Sequence, residues 1–120
     1  METNLLGCLK TIGSAIENKK GFNTVVLDVR SICRMTDFFI FTEGNVGVHV
    51  KAITESIIQN LKQEQLIPLC VEGMSIGEWV VIDYGFVIIH VFIPSVRDKY
   101  RVEELWKDGL VVKWNSYNSL

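Results

Sequence analysis

Two apolar runs, Glu78–Asp83 and Phe86–Ile93, stand on either side of the dipeptide Tyr84-Gly85. Strand-forming runs joined by a two-residue link that ends in glycine predict an antiparallel hairpin, because glycine takes the positive φ that tight connections need. Pro94 ends the second strand of that hairpin. The chain must therefore build a sheet, and the remaining periodicity has to supply what covers it.

Leu5, Leu9, Ile12 and Ile16 recur at helical spacing, and Asn18–Gly21 reads as the exit of that helix. Thr24–Val29 is β-branched and continuous, as a buried strand is. Phe38–Phe41 is a second strand, broken at Glu43-Gly44-Asn45. Val46, Val50, Ile53, Ile57 and Leu61 form the longest helical stripe, with Asn45 as its expected cap. Pro68 bars further helix and opens a short strand, Leu69–Glu72. Val102, Leu105 and Trp106 predict a short amphipathic helix closed by Gly109. Leu110–Trp114 is apolar and expected to dock, and Asn115–Leu120 is expected to fray. The order predicts an α+β fold, a mixed sheet of about five strands flanked by helices.

At 120 residues the chain makes one domain. It is 48% apolar, with a mean hydropathy of +0.25, which excludes a disordered chain and favours a partner-covered surface. A net charge of −2 makes it a poor general nucleic-acid binder. The three separated cysteines, Cys8, Cys33 and Cys70, read as inert thiols in a reducing compartment. No signal peptide and no run long enough to span a membrane is legible, so a cytoplasmic location is expected.

Residues that carry chemistry are sparse. Gly44-Asn45-Val46-Gly47 can serve as an anion-holding turn or as a plain turn and cap. His49 and His90 have no metal-ligand spacing between them. His90 is either a half-buried, hydrogen-bonded ring or a catalytic base, and the first reading is the expected one. No Asp-x-Asp or Asp-x-Glu pair exists to bind Mg²⁺ from one strand face. Asp28, Asp37, Glu43, Glu72, Glu78 and Asp83 instead form an acidic rim suited to a basic protein. Trp79 shares a strand face with Val81 and Asp83, either as core or as an interface anchor.

An ordered set of motifs resembles the ribosomal silencing factor family, also called Iojap-like. It comprises Leu27-Asp28-Val29, Thr36-Asp37-Phe38-Phe39-Ile40, Gly44 with His49-Val50, Glu72-Gly73, Gly77 with Trp79-Val80-Val81, Asp83-Tyr84-Gly85, and His90-Val91. The ending Arg97, Tyr100, Glu103, Leu105 and Trp106 follows. Departures from the family pattern are Phe86 at a position that is commonly Asp, Val46, Gly47 and Val48 after the glycine, and Val102 for Leu.

The resemblance implies a nucleotidyltransferase-like fold without the catalytic carboxylates, over residues 1–109, with 110–120 as a tail. It implies a non-catalytic factor, with no metal and no cofactor, that binds the large ribosomal subunit through large-subunit protein fourteen. A domain bound there keeps the small subunit from joining and so represses translation. It also implies a homodimer. No membrane contact and no sequence-specific nucleic-acid contact are expected. The expected contact residues are Glu72, Trp79, Asp83 and Tyr84, then Asp37, Arg97 and Tyr100. The alternative is a divergent nucleotidyltransferase-like enzyme using Mg²⁺ and a nucleotide.

Overall fold

The structure, a computed structural model, describes residues 5–112. The elements in chain order are α1 (Leu5–Asn18), β1 (Phe22–Asp28), β2 (Phe38–Glu43), α2 (Gly47–Gln63), β3 (Cys70–Glu72), β4 (Trp79–Asp83) and β5 (Val87–Phe92). They are followed by α3 (Pro94–Tyr100), a 3₁₀ helix (Val102–Trp106) and β6 (Leu110–Val112). The sheet has the order β3-β4-β5-β2-β1-β6. Its two central strands, β2 and β5, run parallel, and the other neighbours are antiparallel. Both central strands are buried along their whole length, which accounts for their continuous apolar character.

Each face of the sheet has its own core. On one face, Leu9, Ile12 and Ile16 of α1 and Val50, Ile53, Ile57 and Leu61 of α2 pack on alternate strand residues such as Val26, Ile40, Ile82 and Ile89. On the other, Leu27, Phe39, Phe41, Ile88 and Phe92 pack beneath Val96 of α3 and Val102 and Trp106 of the 3₁₀ helix. The pleat divides the residues this way, because neighbours along a strand point to opposite faces.

The sheet has six strands rather than about five. The extra one is β6, where Val112 pairs with Val26 and Leu110 with Asp28. The apolar segment after Gly109 thus docks by completing the sheet edge, and the rest of the expected tail, 113–120, lies outside the described residues. Pro94 both ends a strand and opens α3, since proline at the first helical turn gives up only an amide that has no partner there. Val102–Trp106 is a 3₁₀ stretch entered through Arg101 in the left-handed region; Val102 and Trp106 face the second core as expected, but Leu105 is 76% exposed.

The hairpin forms, but its link sits one residue along. Tyr84 N–H donates to the Val87 carbonyl, so Gly85 and Phe86 are the central pair, and Gly85 has φ +88°. Asn45 is not the cap of α2. The cap is Val46, and the Asn45 backbone N–H donates to His49 Nδ1 at 2.8 Å. His49 Nε2 in turn lies 2.6 Å from the Lys19 carbonyl oxygen, so this ring ties the start of α2 to the exit of α1. Glu43 ends β2 rather than breaking it.

Gly73 shapes the approach to β4. It has φ +94°, and a Cβ there runs into the carbonyl oxygen of Trp79. Gly73→Ala is expected to destabilise the protein by about 2 kcal/mol, from left-handed strain and backbone displacement together. Urea unfolding checks this, and an unchanged midpoint contradicts it.

Candidate functional site

The outer part of the sheet gathers most of the residues named from sequence. Across β3, β4 and β5 the register aligns Glu72 with Val81 and His90, and Cys70 with Asp83 and Ile88. Directly paired residues share a face, so Glu72, Trp79 and Asp83 all project to the side covered by α3. Tyr100, at the end of α3, brings its ring to 5.2 Å from that of Trp79 and is 54% exposed. Lys99 Nζ lies 5.3 Å from the centre of the Tyr100 ring.

Trp79 is half-buried, which joins the two readings made of it. Its inner side packs with Phe92 at 6.2 Å, and its Nε1–H donates to His90 Nδ1 at 3.0 Å. Its outer side borders a groove of about 400 Å³ lined by Gly73, Ile76, Glu78, Trp79, Lys99 and Tyr100. Ile76, 74% exposed, and Lys99 were missed by sequence reasoning. The available signal was an isoleucine stranded between Gly73 and Gly77, where neither strand nor helix accounts for an apolar side chain.

Two expected contact residues lie inside the protein instead. Tyr84 is 7% exposed and packs in the α1–α2 core. Burial pushes its phenol up to about 12, and its hydroxyl has no hydrogen-bond partner among the described residues. Arg97 is 9% exposed and fully engaged. Its guanidinium donates to Glu43 Oε2 at 2.9 Å, to the Asn23 carbonyl at 2.6 Å and to both Glu103 oxygens at 2.5 and 3.0 Å. Burial works against the Arg97 charge, and the carboxylates of Glu103 and Glu43 outweigh it, so its pKa is raised. This arginine ties α3 to β1, β2 and the 3₁₀ helix.

Asp37 is half-buried beside the hairpin turn, its N–H donating to the Phe86 carbonyl. Asp83 also has a local task, since its Oδ1 accepts the Gly85 N–H at 2.7 Å and so shapes the turn. Phe86 packs against the α1–α2 core, whereas Val46 and Val48 are exposed at the start of α2.

Reactive chemistry is not assembled here. Among the described residues no group of three His, Cys, Asp or Glu is placed to hold a metal ion. A hydrogen bond to Glu72 raises the pKa of the Cys70 thiol, and burial raises that of Cys8, so neither is an activated thiolate. Burial brings His90 down to about 4, and its Nδ1 is occupied by the Trp79 indole. A ring so placed is a poor general base. No helix among the described residues is long and apolar enough to cross a membrane.

The family model described as "Ribosomal silencing factor during starvation" matches residues 3–119. The chain belongs to the RsfS family. An RsfS of Chromobacterium violaceum, named ribosomal silencing factor, is 36% identical over 92 residues, 77% of this chain and 75% of its own length. An RsfS of Halalkalibacterium halodurans is also 36% identical, over 83% of this chain and 86% of its own. Among more distant relatives, a mouse protein named mitochondrial assembly of ribosomal large subunit protein 1 is 26% identical over 78% of this chain and 42% of its own. The same fold is seen in a crystal structure of a Chromobacterium violaceum protein, with a TM-score of 0.82 at 34% identity, covering 89% of this chain and 88% of that one.

Proposed function

We propose that this protein binds the large ribosomal subunit through a basic protein of that subunit, large-subunit protein fourteen, at the face that meets the small subunit. It silences translation by occupying that space. The observation that carries this reading is the Trp79–Tyr100 surface. Two aromatic rings 5.2 Å apart stand at the rim of a groove that Glu78 also lines, with Glu72 on β3 and Asp83 at the far end of β4 on the same sheet face. An aromatic anchor on a sheet face that carries three carboxylates fits a cationic protein surface better than it fits phosphate. Membership of the RsfS family and the large-subunit relative support the choice of partner.

Occlusion needs affinity and volume, and no bond need change. An interface of about 1,600 Å² in total suffices for a specific complex. The contact set this reading keeps is Glu72, Trp79, Asp83, Tyr100 and Asp37. Tyr84 and Arg97 support it from within.

Cosedimentation with isolated large subunits tests the reading, with light scattering to follow rejoining by small subunits. Saturating protein is expected to suppress rejoining; rejoining at the rate seen without it defeats the proposal. Trp79→Ala is expected to weaken binding by about 1–2 kcal/mol, roughly 5- to 30-fold. Unchanged affinity in a folded variant removes Trp79 from the contact.

A further inference from the structure

His90 lies on the innermost part of the same face, paired with Val81 on β4 and Phe41 on β5's other side. Its ring stacks on Phe41 at 5.2 Å and 20°, and lies 6.1 Å from Phe39 and 6.2 Å from Phe92. Three aromatic neighbours on two strands leave the imidazole little freedom to turn. Trp79 differs. It stands on β4, next to the edge strand, half-exposed, with one side of the indole open to the groove. Its Nε1–H nevertheless reaches diagonally across the β4–β5 pair to His90 Nδ1.

We propose that His90 is a positioning residue for partner binding: locked among Phe39, Phe41 and Phe92, it accepts the Trp79 indole N–H and fixes the edge that Trp79 presents beside Tyr100. This rests on the reading of the Trp79–Tyr100 surface as the docking surface. The imidazole must be neutral, with its proton on Nε2, for Nδ1 to accept. Burial, which brings His90 down to about 4, keeps it so at neutral pH. A side chain already held in its bound orientation loses less freedom on docking, and an anchor released from His90 is expected to bind about 3- to 10-fold more weakly.

Two variants separate positioning from mere packing. His90→Phe keeps an aromatic ring of similar size and removes the acceptor. His90→Asn places its Oδ1 near the position of Nδ1 and restores an acceptor. The Trp79 indole N–H resonance, identified by its loss in Trp79→Phe, reports the hydrogen bond directly in the free protein. Cosedimentation with large subunits at neutral pH reports affinity. His90→Phe is expected to move the indole resonance upfield and weaken binding 3- to 10-fold, and His90→Asn to recover both. A double-mutant cycle of His90→Phe with Trp79→Phe is expected to be non-additive, with His90→Phe costing little once the indole is gone; if His90→Phe folds poorly, the indole resonance and affinity of His90→Asn against those of Trp79→Phe carry the test. Wild-type affinity in His90→Phe, or an indole resonance that does not move, overturns the proposal alone. Failure of the wild-type chain to sediment with large subunits overturns the docking reading, and the proposal with it.

Discussion

Arg97→Met is expected to lower stability by about 3–5 kcal/mol. The reason lies less in the arginine than in what it leaves behind. The Glu43 side chain is 8% exposed, and its partner in this structure is the Arg97 guanidinium. Without that cation a carboxylate stays in the interior with its charge uncompensated. The Asn23 carbonyl and both Glu103 oxygens lose their donors at the same time. Denaturant unfolding measures the loss. Adding Glu43→Gln to Arg97→Met is expected to return part of it, because the stranded charge is then gone. Arg97→Lys is expected to recover little, since a single ammonium cannot replace a fork that bonds Glu43, Asn23 and Glu103 together. A loss below about 1 kcal/mol for Arg97→Met contradicts the account.

The second large effect is on acid stability. Burial lowers His90 from 6.5 to about 4 in the folded protein. The unfolded chain therefore takes up this proton first as pH falls. Stability from this group is fully present above about pH 6.5 and is lost as pH drops toward 4, by on the order of 3 kcal/mol in total. His90→Phe has no such proton to take up. Its stability is expected to be flatter across that window, even if the variant is the less stable protein at pH 7. Urea midpoints for both proteins at half-unit intervals from pH 4 to 7 give the comparison. Parallel curves contradict the assignment.

Much of the fold was legible because it rests on local pattern. The hairpin, the stripe of α2 and the apolar runs of β1 and β2 are each set by spacing that a short window contains, although β1 is buried only at Val26 and Leu27. The shortfalls have physical causes of their own. Three residues of β6 are too few to display a period, and their strand character comes from β1 lying beside them. Pro94 carries two meanings, and only the packing of Val96 onto the second core selects the helical one. Asn45 has the right side chain for a cap, but the helix starts one residue later and Val46 stands at the cap position.

The site divides along the same line. Strand alternation placed Trp79 and Asp83 on one face, and Glu72 joins them through the pairing of β3 with β4. It could not reveal that Arg97 is spoken for, because the partner is Glu43, fifty-four positions away in sequence. Nor could it show that Tyr84, in a turn that looks exposed, points inward. The tie between Trp79 and His90 likewise needs the register of β4 on β5.

The parallel pairing at the centre of the sheet sets a schedule for the chain's own synthesis. Phe38 pairs with Val87, so β2 leaves the ribosome about fifty residues ahead of the strand that will cover its inner edge. At roughly 5–20 residues per second, that aromatic edge waits for about 2–10 s. During that interval β1 can shield one side only. Newly made chains are therefore most vulnerable to clumping before the hairpin has emerged, and a slowly translating host is expected to gain the most soluble protein from a chaperone near the exit tunnel.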